Sequence, residues 1–238
     1  MTTSDYSKSI SNIELEGTVT VGIYPSFSCR NESEFDNYTF EQRIDLGFGP
    51  FMLSDTRNIF TATGCATSAQ MTSYDESTYG AGRLSLCREY VEMTDENPCA
   101  GSSGCCQISI PKGLKSLSIE VKSADYASVY DFNPCGFGFL EDKRSLKISD
   151  WPLSIYGKDA YATDVVIEWV VENKTCEQAK ANTSAYACGT NAYCTYPEID
   201  QGYRCSCNEG FEGNPYLKDG CQAISTVKNN KKKSVFEA

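Results

Sequence analysis

The sequence contains no histidine among its 238 residues. The one side chain that titrates near neutrality without help is therefore missing, and with it the commonest general base. A serine or cysteine nucleophile would need another activator. Long apolar runs are missing too: no stretch of about 18 apolar residues occurs, so no segment here spans a bilayer as a helix. The first six residues, Met1-Thr-Thr-Ser-Asp-Tyr6, have neither the basic start nor the apolar stretch of a secretory leader. Positive charge is scarce, with 21 Lys+Arg against 32 Asp+Glu and a net charge of −11. The deficit sits in residues 1–172, where 13 basic and 25 acidic residues give a net −12. Such a surface offers a phosphate backbone nothing, which excludes nucleic acid as a partner. The chemistry left open is a pair of carboxylates, as in glycosidases. With 32 acids some close pairs are inevitable, and Asp142, Asp150, Asp159 and Asp164 read as solvated turn residues. Neither catalysis nor a cofactor is expected.

What the chain does have is cysteine, thirteen of them. A reducing cytosol rarely holds so many outside metal sites. Zinc is the rival explanation, but there is no histidine and no pair of CxxC knuckles at zinc spacing. Disulfides are the expected state. Four Asn-x-Ser/Thr acceptors agree with an oxidising, glycosylating compartment: Asn31, Asn37, Asn173 and Asn182. The chain looks secretory without carrying a leader, so the expectation is that its natural N-terminus is missing.

The cysteines divide the chain. Seven are spread over Cys29, Cys65, Cys87, Cys99, Cys105, Cys106 and Cys135, and six are crowded between Cys176 and Cys221. Between the two sets, Thr163-Asp-Val-Val-Ile-Glu-Trp-Val-Val171 is an apolar, β-branched run expected to form a buried strand. Polarity returns at Glu172-Asn-Lys-Thr175. These features set expected boundaries: a β-rich domain over 1–172, a small module over 173–222 and a disordered basic tail over 223–238. In the first region Thr18–Ile23, Gln107–Ile110 and Leu117–Val121 show β-branched or alternating patterns. Pro111-Lys-Gly113 between the last two is turn chemistry, so a hairpin is expected there. The fold class expected is mainly β: an antiparallel, sandwich-like, disulfide-bonded domain followed by a disulfide-rich module.

The six crowded cysteines are Cys176, Cys188, Cys194, Cys205, Cys207 and Cys221, separated by 11, 5, 10, 1 and 13 residues. Gly210-Phe211 follows the Cys205-Ser-Cys207 pair. About forty residues cannot bury enough apolar surface to stand alone, so cross-links replace a core. Spacing alone leaves all 15 pairings open. The pattern resembles the epidermal growth factor-like module, and that resemblance implies Cys176–Cys194, Cys188–Cys205 and Cys207–Cys221. Some such modules bind calcium through acids before the first cysteine. Here the lead-in Glu172-Asn-Lys-Thr175 has one acid and Glu198 stands in the third gap, so the pattern is not met and no metal is expected.

Further phrases widen the resemblance. Phe51-Met-Leu-Ser-Asp-Thr-Arg-Asn-Ile-Phe-Thr-Ala-Thr-Gly-Cys65, Gly104-Cys-Cys-Gln-Ile-Ser-Ile-Pro111 and Phe132-Asn-Pro-Cys-Gly-Phe-Gly-Phe-Leu140 resemble the ectodomain of plant wall-associated receptor kinases. So do Val165-Val-Ile-Glu-Trp-Val170 and Phe211-Glu-Gly-Asn-Pro-Tyr-Leu217. The resemblance covers about Ile10 to Gln222. It implies the extracellular face of the plasma membrane or the cell wall, and a pectin or oligogalacturonide ligand. It also implies what these residues lack: the family's signal peptide, early galacturonan-binding segment, transmembrane helix and kinase. Neither a nucleotide loop nor a catalytic Asp motif is present. The tail after Gln222 matches none of the family's segments and reads as a splice read-through, a truncated gene model or a short disordered end. Seven cysteines cannot all pair among themselves, and Cys29, the most isolated, is the expected odd one, with Cys105 and Cys106 going to different partners.

Three functions stay open at this point. One is an extracellular module contributing to polysaccharide recognition, the second a protein-interaction or spacer element, and the third a truncated non-signalling decoy. A polyanionic pectin is repelled by a net −12 domain over about one Debye length of 8 Å. Binding it needs a local basic face, for which Lys112, Lys115 and Lys122 are the candidates, or calcium bridging carboxylates.

Overall fold

The computed structural model describes residues 9–30, 37–64, 67–73, 80–85, 99, 104–123, 135–145, 162–197 and 202–224. The chain divides into two compact units, residues 1–170 and 171–238. Unit 1 is built of antiparallel strands. In chain order they are β1 (Ser9–Glu14), β2 (Thr18–Ile23), β3 (Ser26–Arg30), β4 (Asn37–Phe40), β5 (Gln42–Asp45) and β6 (Phe51–Leu53). Then come β7 (Asn58–Thr63), β8 (Thr67–Thr72), β9 (Gly80–Ser85), β10 (Cys105–Ser109), β11 (Ser116–Ser123), β12 (Cys135–Asp142) and β13 (Thr163–Trp169). They form three sheets, with strand orders β1-β2-β13-β6, β10-β7-β12-β3-β4 and β5-β11-β8-β9.

One apolar core serves all three. Val21, Ile23, Leu53, Val165 and Ile167 enter it from the first sheet and Phe60, Ala62 and Leu140 from the second. Ile44, Ala69, Met71, Leu117, Ile119 and Val121 enter it from the third. The fold class is thus mainly antiparallel β, with sheets packed face to face around shared side chains. The apolar run expected to be a buried strand is β13, paired with β2 and β6 on its two sides. In β11 Leu117, Ile119 and Val121 are buried in the core; the other face buries Ser116 and Ser118 and exposes Glu120 and Lys122.

Strand β12 follows a different logic. All eight of its residues are buried, although glycines alternate with phenylalanines. Alternation sends Gly136, Gly138 and Leu140 to one face and Phe137, Phe139 and Glu141 to the other. A Cβ on Gly138 would lie 3.0 Å from methyl carbons of both Ile119 and Val121, and one on Gly136 would collide with Thr67. The glycines let the third sheet approach closely.

The hairpin expected at residues 107–121 does not form. Strand β10 pairs with β7, whereas β11 pairs with β5 and β8, in a different sheet. Ile110 and Leu114 on either side of the turn are buried in the core, and Leu114 O accepts from Leu53 N at 2.8 Å. Burying those two side chains carries the chain across between facing sheets. Gly113, at φ +79°, makes the reversal in a region that other residues avoid.

Unit 2 is small. Helix α1 (Cys176–Ala181) is followed by β14 (Ala192–Thr195), β15 (Arg204–Cys207), β16 (Phe211–Gly213) and β17 (Cys221–Ala223), paired as two hairpins. Thr175 caps the helix: its hydroxyl accepts from Gln178 N at 3.2 Å, and Gln178 Oε1 accepts from Thr175 N at 2.9 Å. The packed centre is Cys176, Ala179, Tyr203 and Cys205, with Tyr203 fully buried. Gly210 adopts φ +83° in the turn before β16.

Candidate functional site

In unit 2 the structure bonds Cys176 to Cys194, Cys188 to Cys205 and Cys207 to Cys221, with Cα separations of 5.8, 5.3 and 5.6 Å. Cys194 and Cys205 face each other across β14 and β15, so two bridges leave this hairpin from one cross-strand pair. The Cys176–Cys194 bridge ties α1 to it. Tyr196 reinforces that tie: its hydroxyl accepts from Cys176 N at 3.2 Å and donates to Glu177 Oε2 at 2.5 Å. The acceptor Asn173 precedes α1, Asn182 is its C-cap, and both are exposed. Ser184, the hydroxyl residue of the second triplet, donates to Asn182 Oδ1 at 2.8 Å. Asn37 lies on edge strand β4. Asn31 and Glu198 lie outside the described residues, as do Asp150 and Asp159.

The expected odd cysteine is corrected. Cys29 is bonded to Cys135, its direct partner across β3 and β12, with Cα atoms 4.1 Å apart. Cys29 and Cys135 are 106 positions apart in the chain, but strand pairing erases sequence distance. Cys105 is bonded to Cys99. Among the described residues the free thiol is Cys106, with Sγ 3.6 Å from Leu84 O. Cys105 and Cys106 are neighbours on a strand, so they point to opposite faces. Cys65 and Cys87 lie outside the described residues.

Ser54, Arg57 and Asn58, from a phrase that helped to carry the family resemblance, form a clamp inside unit 1. Asn58, fully buried at the start of β7, donates from Nδ2 to Val166 O at 2.7 Å and accepts from Val166 N at 2.8 Å. One amide thus replaces a ladder step between the first two sheets. Ser54 Oγ donates to Glu168 Oε1 at 2.5 Å, and Arg57 N donates to Ser54 Oγ at 3.2 Å. The Arg57 guanidinium grips Asp142 with two nitrogens, Nε lying 2.9 Å from Oδ1 and Nη2 bonding Oδ2. Lys143 Nζ donates to Thr56 O at 3.0 Å.

Two of the acids read as solvated turn residues are thereby corrected. Asp142 ends β12 and is 4 % exposed, and Asp164 lies half-buried within β13. Burial alone would raise the Asp142 pKa, but the Arg57 fork and the Arg144 backbone N–H outweigh it and hold the carboxyl below its ordinary value. Glu141 is the opposite case. It is 5 % exposed, its Oε2 has no hydrogen-bond partner among the described residues, and burial together with Asp164 and Asp142 raises its pKa to about 7. No pattern in the sequence marks it.

The candidate basic face is not a cluster of available cations. Lys115 precedes β11 and donates to Gly49 O at 2.9 Å, Lys122 pairs with Glu120 at 2.9 Å, and Lys112 is exposed in the turn. Among the described residues no three metal-ligating side chains converge, and no helix is long and apolar enough to cross a membrane.

Comparison with known proteins supplies what the geometry alone does not. The chain is 32 % identical over 215 residues to wall-associated receptor kinase 2 of Arabidopsis thaliana, covering 90 % of this chain and 28 % of that protein. It is 30 % identical over 220 residues to wall-associated receptor kinase 1 of the same plant, covering 91 % and 28 %. With wall-associated receptor kinase 3 the figures are 31 % over 229 residues, 90 % and 30 %. The chain therefore spans less than a third of the length of these relatives. No family model and no solved structure matches it. The matched part of the relatives is their ectodomain, and these 238 residues hold no kinase domain. The chain is thus related to the wall-associated receptor kinases along about 90 % of its length, where it matches part of their ectodomain.

Proposed function

We propose that this chain is the extracellular, ligand-binding part of a wall-associated receptor kinase-like protein and contributes to sensing cell-wall polysaccharide of the pectin or oligogalacturonide class. The observation that carries the receptor role is the alignment with receptor kinase ectodomains across 90 % of the chain, through both units. Disulfides in both units support an extracellular location. The same reading assigns glycans to Asn31, Asn37, Asn173 and Asn182, and the three-bridge framework to an epidermal growth factor-like module over 173–222. It places a β domain at 1–172 and a basic tail at 223–238.

Electrostatics shapes the ligand reading. A net charge of −12 over residues 1–172 opposes a polyuronate, and Lys115 and Lys122 are engaged within the protein. Polyuronate binding therefore runs through calcium bridging carboxylates on both partners. The test is binding of the fully oxidised chain to immobilised oligogalacturonides with calcium and with a chelator. Binding that depends on calcium supports the proposal, and no binding in either state rejects the ligand class.

A second reading, a protein-interaction module, has one observation in its favour. Edge strand β1 is open to solvent, with Ile10 and Ile13 each 62 % exposed. A partner recovered by crosslinking after pectin removal, and lost on charging Ile10 and Ile13, would favour it.

A further inference from the structure

The outer face of the five-stranded sheet ends in an acid that has no reason to be buried as an anion. Along β12 this face carries Cys135, Phe137, Phe139 and then Glu141, exposed by 3, 2, 1 and 5 %. The opposite face, with Gly138 and Leu140, is packed on the shared core. Glu141 therefore continues an apolar row, and its Oε2 is sealed from water without a hydrogen-bond donor among the described residues.

The charged groups around it make ionisation harder. On β12 itself Asp142 follows it, and β13 presents Asp164 beside it; both act on Glu141 as like charges. Arg57, in the turn before β7, is a cation whose fork is closed on Asp142. The turn after β12 carries Lys143, whose Nζ bonds the Thr56 carbonyl, and Arg144, whose backbone N–H bonds Asp142 Oδ1 at 3.1 Å. Further along β13, Glu168 accepts from Ser54. A carboxylate buried beside other acids, with an oxygen that finds no donor among the described residues, is unfavourable, so the group takes up a proton instead.

We propose that Glu141 is a proton-operated latch on unit 1: neutral, it keeps the outer face of β12 packed; ionised, it loosens that face. Only a proton moves, between the carboxyl and water. The folded carboxyl releases its proton at about 7 rather than at its ordinary 4.5. Between those values the folded chain holds a proton that the unfolded chain has lost. The contribution of Glu141 to unit 1 is therefore full in mild acid, falls as pH rises through this window, and changes no further above it. Asp142 works in the opposite sense and at lower pH, because its value is depressed, so the two do not overlap. The packing of this receptor unit thus responds to the pH of its surroundings, whichever ligand it binds.

Hydrogen exchange on the full, oxidised chain tests this. Amides of Phe137–Asp142, after correction for intrinsic exchange rates, should be protected at least about tenfold more at pH 5.5 than at pH 7.5, since one pKa unit is a factor of ten. In Glu141→Gln, which mimics the neutral acid, the two pH values should give equal protection. Wild-type protection independent of pH, or a pH dependence retained in Glu141→Gln, overturns the proposal. Should that variant not fold, a titration of the wild-type chain labelled with ¹³C at the glutamate carboxyls decides. One carboxyl with a midpoint near 7 supports the latch, and midpoints all near 4.5 overturn it.

Discussion

The two units solve the same problem by different means. Unit 1 buries a continuous apolar core between three sheets, so that Phe60, Leu117, Ile119 and Val165 are all within 1 % of complete burial. Among the described residues of unit 2, the one fully buried large side chain is Tyr203, with three disulfides around it. A short polypeptide cannot exclude enough apolar surface from water to offset chain entropy, so cross-links that restrict its unfolded state take over. The strands of unit 1 can tolerate buried polar groups such as Asn58 and Asp142 because the surrounding core is large enough to hold them in fixed geometry. Sulfur chemistry decides the state of unit 2, and packing decides that of unit 1.

Reduction breaks this comparison most sharply. Each bridge of unit 2 contributes roughly 2–4 kcal/mol, so adding a thiol reductant should unfold that unit while the β circular dichroism of unit 1 largely persists. Equal loss from both units would mean that unit 1 also depends on Cys29–Cys135 for its fold. Next in size is Arg57→Ala, which leaves Asp142 buried without its fork and should cost about 3 kcal/mol in denaturant unfolding of unit 1. Because Asp142 is held below its ordinary value, that deficit should be full at neutral pH. It should shrink as pH falls through the depressed pKa of Asp142. Gly138→Val drives methyl groups into Ile119 and Val121 and should cost about 1–3 kcal/mol, read from the same melts. The smallest effect is expected in unit 2: Tyr203 Oη accepts from Ala187 N at 3.3 Å. Tyr203→Phe should therefore lower stability by only about 1 kcal/mol while the bridges stay intact.

Much of unit 2 could be read from the chain because its determinants are covalent and local. Cys205, Cys207 and Gly210 lie within six positions and leave few geometries open. The β13 run was legible for a related reason: Val165, Val166 and Ile167 are β-branched and apolar on both faces, as a strand covered on both sides requires. Strand β12 was not legible, because glycine lowers strand propensity and its use here depends on how closely another sheet approaches. The misread hairpin shows the same limit. Pro111-Lys-Gly113 reverses the chain equally well within a sheet or between two, and only the burial of Ile110 and Leu114 decides. The polar clamp was hidden because an isolated Asn58 or Asp142 looks like any solvated loop residue until its partners, Val166 and Arg57, are brought in from distant positions. Glu141 is the extreme case, because its burial beside Asp142 and Asp164 is encoded by no local pattern.

The most direct measurement is disulfide mapping, by mass spectrometry under non-reducing conditions, of the chain secreted from plant cells. The expected result is Cys176–Cys194, Cys188–Cys205 and Cys207–Cys221 within unit 2, together with Cys29–Cys135 in unit 1. Free thiols among the six cysteines of unit 2, or a Cys205–Cys207 bond, would contradict a framework held by sulfur and with it the extracellular reading.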